Sequence, residues 1–240
     1  MALLARIGKF LLDAVFPPRC PLCGEMILPE QKTCEQCTGQ LVSILPPVCN
    51  RCGRPERYCR CGDSVFRFAR CVSPFAYKGV IRKGIHRLKF DNGTSSARYF
   101  AEAMADTIRR EYGSEAIDFV VCVPMHPIDK NERGYNQAAL LARRTARLLG
   151  LPFYEDVLVK RVLNTRQHTL AHNERSGNVM NIFEVKRTSL AKGSTILLCD
   201  DVITTGSTLD QCSAALLAAG AARVLCVTAA SVLGSENQAE

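Results

Sequence analysis

The sequence predicts an α/β chain: a mainly parallel sheet flanked by helices, with a small cysteine-rich module on its N-terminal side. Three observations predict it. From residue 66 onward, apolar strand segments alternate with amphipathic helical ones; eight of the 13 cysteines crowd between Cys20 and Cys61; and one apolar strand ends in two aspartates, followed at once by a turn of hydroxyls and glycine that opens a helix. The shift in composition divides the chain into 1–65, an N-terminal helix and cysteine module, and 66–240, the α/β domain. A length of 240 residues suits one ordinary domain with a small appendage. Hydrophobic residues at 47% and charged residues at 22% exclude a mainly disordered, collagen-like or coiled-coil chain. A net charge of +8 favours polyanionic ligands such as nucleic acid or polyphosphate without choosing between them. No stretch approaches the roughly 18 consecutive apolar residues of a membrane span, so a cytoplasmic protein without one is expected. The oligomeric state is not legible.

At the N-terminus, Leu3, Leu4, Ile7, Phe10, Leu11 and Val15 recur at helical spacing, while Arg6, Lys9 and Asp13 interrupt any signal-peptide core. This reads as a short amphipathic helix packed on the protein itself, with membrane-surface contact as the alternative. Next come Cys20-x₂-Cys23 and Cys34-x₂-Cys37, two tight knuckles whose thiolates can meet around one tetrahedral ion at about 2.3 Å each. A second set, Cys49-x₂-Cys52 with Cys59-x-Cys61, is less regular, because one half has a single intervening residue. Two structural four-thiolate zinc sites, paired in sequence order, are expected, with disulfides or an iron–sulfur cluster as alternatives. Closed sites of this kind leave no position for an activated water, so the zinc is structural. The module has too few large apolar residues for a core of its own, and metal binding supplies much of its folding free energy. Cys71, Cys122, Cys199, Cys212 and Cys226 lie apart in apolar or mixed surroundings and read as packing residues.

Phe75–Tyr77 reads as a strand. Val80, Ile81, Ile85, Leu88 and Phe90 then line one side of a basic helix bearing Arg82, Lys83, Arg87 and Lys89. Residues 97–111 form a second helix, Asp118–Val123 a buried strand ended by Pro124, and Asn136–Leu149 a helix with Gly150 as its C-cap. Thr195–Cys199 is a strand, Thr208–Ala219 a helix and Arg223–Ala229 a strand, which implies right-handed βαβ units.

The most informative segment runs from Ile196 to Thr208, where Asp200 and Asp201 precede Val-Ile-Thr204-Thr205-Gly206-Ser207-Thr208. Backbone N–H groups and hydroxyls at a helix N-terminus hold a phosphate monoester, and adjacent carboxylates accept from ribose hydroxyls or from water on Mg²⁺. The Gly-x₄-Gly-Lys of a Walker loop is missing.

This segment resembles the phosphoribosyltransferase signature. Around it, the knuckles after Phe16-Pro-Pro-Arg-Cys20, Tyr77-Lys-Gly with Leu88-Lys-Phe90, Val123-Pro-Met-His126, Arg133-Gly-Tyr-Asn-Gln137 and Arg161…Thr165-x-Gln167…Arg175-x-x-Asn178…Phe183 resemble the ComF family, which includes the GntX-type proteins. The resemblance covers nearly the whole chain. It implies a type I phosphoribosyltransferase-like fold after a double zinc ribbon, with Asp200 and Asp201 on the ribose of phosphoribosyl pyrophosphate and Thr204–Thr208 on its 5′-phosphate. It further implies that Met125, His126 and Arg133 hold the pyrophosphate together with Mg²⁺, and that Arg161–Arg175 is a catalytic hood in which Arg161 and Arg175 face the leaving group. Arg166 stands where relatives often have Pro.

His126 follows a strand end, where a phosphate contact or general-acid role competes with an ordinary loop histidine. His168 and His172 read as a solvated pair, with metal ligation as the alternative. Phe75, Tyr77, Tyr99 and Tyr135 are candidates for base stacking or for plain packing. The leading functional reading is a phosphoribosyltransferase-like protein of natural competence, handling internalised single-stranded DNA alongside other DNA-uptake proteins. A stand-alone metabolic transferase or a sensor of phosphoribosyl pyrophosphate is the alternative, and the acceptor is not legible.

Overall fold

Apolar runs without polar alternation make strands covered on both faces, and those of this chain pair in parallel. A computed structural model describes residues 17–59, 61–62, 66–90, 94–161 and 182–234. The central strands are β3 (Phe119–Cys122), β6 (Thr195–Ile203) and β7 (Arg223–Ser231). β6 lies between the other two, with Val120 opposite Leu197 on one side and Asp200 opposite Thr228 on the other. Along the far edge of β7 run β1 (Arg70–Val72) and β2 (Phe75–Ala76), one after the other. At the opposite edge, Phe153 forms a parallel bridge to Val120.

Helices α2 (Gly79–Phe90), α3 (Thr94–Tyr112) and α5 (Gln137–Leu149) cover one face, around Ile81, Phe100, Leu141 and Leu197. α7 (Ser207–Ala218) covers the other, around Phe119, Leu198 and Leu209. It is joined there by an antiparallel ribbon of β4 (Leu158–Lys160) and β5 (Phe183–Val185). Short helices α1 (Glu35–Gly39), α4 (Pro127–Arg133) and α6 (Thr188–Ala191), with a 3₁₀ turn at Glu56–Tyr58, complete the described elements. α5 starts on Asn136, whose side chain accepts from the Ala138 N–H, and ends on Gly150 at φ +71°, the left-handed turn a glycine takes without strain.

The α/β architecture with its parallel sheet matches expectation; several details differ. β6 does not stop at Cys199 but carries both aspartates, because its pairing with β7 continues to Ile203. Phe90 leaves the apolar stripe and is 58% exposed, since helical spacing turns it about 180° from Ile81, onto the face of Arg82, Lys83 and His86. β1, the β4–β5 ribbon and α4 were not anticipated: each is too short to show a period. The five scattered cysteines are all buried. The cysteine module shares the core of the domain, with Cys20, Leu22 and Cys37 buried among the side chains of α2 and α3. The N-terminal amphipathic segment through Phe16 and the hood residues Arg166, His168, His172 and Arg175 lie outside the described residues.

Candidate functional site

The connections leave a crevice between the carboxyl ends of β3 and β6. From β3 the chain departs through α5 on one face toward Phe153, and from β6 it departs through α7 on the other face toward β7. Neighbouring parallel strands whose helices leave to opposite faces open a gap where loop groups from both converge. A cavity of about 320 Å³ lies there, lined by Met125 and His126 after β3, Arg133 and Gln137 around the start of α5, Lys160 and Phe183 on the ribbon, and Asp200 and Thr208.

The two aspartates project to opposite faces of β6, as consecutive strand residues do. Asp200 lines the cavity, and its Oδ1 accepts from the Asp201 N–H at 2.8 Å. Burial, then the neighbouring Asp201 charge, push the Asp200 carboxyl well above the usual carboxylate range. Asp201 is 6% exposed; its Oδ2 lies 2.8 Å from Lys89 Nζ and accepts from Gln137 Nε2 at 3.3 Å. The strand therefore carries one acid paired with a cation on one face and, lining the cavity on the other, a second acid whose charge is suppressed. A divalent cation or a pair of hydroxyl donors would relieve the second.

Beyond β6, Gly206 turns the chain at φ +91° into α7, with the Asp210 N–H donating to its carbonyl at 2.9 Å. The N-cap of this helix, Gly206, has no side chain to offer, and the Thr205 hydroxyl accepts from the Ser207 N–H at 3.3 Å. The hydroxyls of Thr205 and Ser207 are 3.0 Å apart, and Thr204, Thr205, Ser207 and Thr208 are exposed. On the facing wall, Asn136 Nδ2 donates to Val123 O at 3.0 Å, tying the turn after β3 to α5. The Tyr135 hydroxyl donates to the Leu88 carbonyl, and the Arg133 guanidinium sits 5.4 Å from the centre of the Phe90 ring. The expected residues Met125, His126, Arg133, Asp200, Asp201 and Thr204–Thr208 thus converge at one sheet end. Arg161 instead engages Glu184 Oε2 at 3.1 Å across the ribbon, and Arg175 lies outside the described residues.

Lys89, Gln137, Lys160 and Phe183 belong to the site without being among the residues the sequence singles out for it. For Lys89 there was a signal: it stands four residues after the buried Ile85, on the edge of the apolar stripe of α2, where a basic residue needs a partner. The ribbon residues carried no comparable one.

The eight clustered cysteines gather as two separate foursomes in chain order, Cys20, Cys23, Cys34 and Cys37, and Cys49, Cys52, Cys59 and Cys61, each with all sulfurs within 4.8 Å of one another. Separations of 3.6 Å (Cys23–Cys34), 3.8 Å (Cys52–Cys59) and 4.0 Å (Cys49–Cys61) bracket the value of about 3.8 Å that a tetrahedron with ~2.3 Å zinc–sulfur bonds requires. Burial pushes the Cys20 and Cys49 thiols up, but backbone N–H donors outweigh it and bring each down to about 7. Burial and neighbouring thiols hold Cys37 and Cys61 high. Four thiols so close ionise together only around a cation, and these two clusters have the donor set and spacing of structural zinc sites.

The family model of a double zinc ribbon domain matches residues 11–66, and that of a phosphoribosyl transferase domain matches residues 95–238. Among curated relatives, the DNA utilization protein YhgH of Salmonella typhi is 30% identical over 80% of this chain and 85% of its own length. Competence protein F of Haemophilus influenzae is 30% identical over 81% and 89%. Competence protein ComFC of Bacillus subtilis is 28% identical over 82% of each chain.

Proposed function

The chain belongs to the phosphoribosyltransferase family, as a ComF-like member with an N-terminal double zinc ribbon, and from that premise we propose that it binds phosphoribosyl pyrophosphate with Mg²⁺ and transfers the phosphoribosyl group in the use of DNA taken up by the cell. One observation carries the reading: Asp200 near the carboxyl end of β6 and Thr208 in the first turn of α7 line one cavity at the switch point of the sheet, next to an exposed, hydroxyl-rich turn. In this reading the N–H groups and hydroxyls of Thr204–Thr208 hold the 5′-phosphate, and Asp200 and Asp201 accept from the ribose hydroxyls, which supply the donors that the suppressed Asp200 charge lacks. Met125, His126 and Arg133 hold the pyrophosphate. Mg²⁺, when bound with the ligand beside Asp200, neutralises pyrophosphate charge. Arg161 and Arg175 are assigned to the leaving group. The domain division at residues 65 and 66 and the cytoplasmic location belong to the same proposal; among the described residues no helix is long and apolar enough to cross a membrane.

Calorimetry of the zinc-loaded protein tests the site: saturable binding of phosphoribosyl pyrophosphate that requires Mg²⁺ and is lost in Asp200→Ala/Asp201→Ala is expected. A folded wild type that binds none refutes it.

A second ligand, single-stranded DNA, is favoured by the mouth of the cavity. Arg82, Lys83, His86 and Phe90 form one exposed face of α2, with the His86 and Phe90 rings 4.6 Å apart and Arg133 over Phe90. An exposed aromatic flanked by cations suits base stacking with phosphate contacts. Phe90→Ala is expected to weaken oligonucleotide binding, read by fluorescence anisotropy, by about 1–3 kcal/mol without moving Tm. Unchanged binding removes this face from consideration.

A further inference from the structure

The second cysteine cluster touches the loop after β6 through one side chain. Arg54 follows Cys52-Gly53 and is 7% exposed, unusual burial for an arginine. Its Nε donates to the Val232 carbonyl at 2.8 Å, and a terminal guanidinium nitrogen donates to the Thr204 carbonyl. Val232 is itself tied to that loop, its N–H donating to Ile203 O at 2.9 Å. The guanidinium thus clamps the two chain segments that leave β6 and β7.

The knuckle carrying Arg54 is held firmly. The Gly53 N–H donates to Cys49 O at 3.0 Å, the Cys49 N–H to Arg54 O at 2.8 Å, and the Cys71 N–H on β1 to Arg51 O at 2.7 Å. Gly53 adopts φ +68°, and a Cβ there would fall 2.3 Å from Cys71 O, so the knuckle lies flush on the sheet. The planar trans peptide between Thr204 and Thr205 points its carbonyl and its N–H in opposite directions. A carbonyl fixed on Arg54 therefore fixes the Thr205 N–H on the side away from the knuckle, at the turn that Gly206 completes. Such loops hold anions with preset N–H groups, and affinity falls when these must be ordered on binding.

We propose that Arg54 is a positioning residue for the 204–208 loop, and that filling of the second four-cysteine site by zinc thereby sets the affinity of this loop for a phosphate monoester. The ligand half of this inference rests on the reading of 204–208 as the 5′-phosphate site; the positioning half does not.

The test follows both halves in the full-length, zinc-loaded protein. Amide hydrogen exchange of 204–208 is measured without ligand, and binding of ribose 5-phosphate is measured by calorimetry, for wild type, Arg54→Ala, Arg54→Lys and Cys59→Ser. Expected for Arg54→Ala are two zinc ions per chain, exchange at 204–208 at least tenfold faster with β3 and β6 protection intact, and affinity about tenfold weaker. Arg54→Lys, which restores charge and a donor but not the fork, is expected to recover part of both. Cys59→Ser, with one zinc, should reproduce the local change. Exchange at 204–208 that stays at the wild-type rate in Arg54→Ala overturns the proposal, as does a rise spread evenly over β6 and β7 in either Arg54→Ala or Cys59→Ser. Local exchange that responds while wild type binds no ribose 5-phosphate upholds the positioning role and refutes the phosphate reading instead.

Discussion

Lys89→Met separates the lysine's work from its place in the helix. Its Nζ lies 2.8 Å from Asp201 Oδ2, with side chains 26% and 9% exposed. At that distance and an effective dielectric constant of about 20, the attraction is roughly 6 kcal/mol, and desolvation of the two ions offsets most of it. Deleting the lysine removes the attraction and leaves the desolvation of Asp201 uncompensated except by Gln137. Breaking a fully buried pair costs about 3–5 kcal/mol, and a quarter-exposed lysine lowers that to about 2–3 kcal/mol. In a chain of this size the loss corresponds to roughly 4–12 °C in Tm. Scanning calorimetry at fixed free zinc, on Lys89→Met, Asp201→Asn and the double variant, isolates the pair. With Asp201 neutral the lysine has little left to compensate, so Lys89→Met in that background should cost under about 0.5 kcal/mol. A coupling indistinguishable from zero would show that the pair contributes nothing, and the assignment of Lys89 to the site would fall with it.

Asp200→Asn removes a carboxylate that pays for its ionisation in the folded state, so it should stabilise the protein by about 0.5–2 kcal/mol while weakening ligand binding. Because the folded carboxyl titrates above its unfolded counterpart, the penalty on wild type is full above the folded value and vanishes below the unfolded one; the advantage of the variant must shrink as pH falls into the acid range. An advantage that grows on acidification contradicts the assigned cause. Gly84→Ala should lower Tm and loosen the first cluster together, since its Cβ would fall 2.6 Å from Leu22 Cδ2, at an overpacking cost of about 1–3 kcal/mol; a variant as stable as wild type, with unchanged zinc retention under a chelator, would show that Leu22 yields freely.

The parts of the fold that could be read beforehand are those with long periods. The stripe of α2, the capped span of α5 and the apolar run from Thr195 each extend over enough residues for spacing to speak. β1 has three residues and depends entirely on β7 for its pairing, so its existence is a tertiary fact. The site divides in the same way. Asp200, Asp201 and the turn to Thr208 are contiguous, and their chemistry shows in order. Lys89, Gln137 and Phe183 enter from three other segments, and only the parallel sheet brings them to the two aspartates. Arg54 was hidden for a further reason: a basic residue beside a cysteine knuckle looks like any solvated charge until its burial is seen.

The placement of the two cysteine clusters follows from what a parallel sheet leaves uncovered. Its carboxyl-end loops lie beyond the reach of the helices packed on its faces, and about 40 residues with few large apolar side chains cannot build a hydrophobic cover for them. Metal ligation can, because it supplies folding free energy without a core. The first cluster braces α2, with Leu22 against Gly84 and the Arg87 guanidinium 2.6 Å from where a Cβ on Gly24 would stand. That same helix delivers Lys89 to Asp201. The second cluster braces β1 and, through Arg54, the turn after β6. The first cluster therefore supports the helix that pairs with Asp201, and the second the turn that opens α7. A module that served only as a tethered nucleic-acid hand would need neither Leu22 fully buried in the core of the domain nor an arginine engaged with backbone carbonyls of the two segments that leave β6 and β7.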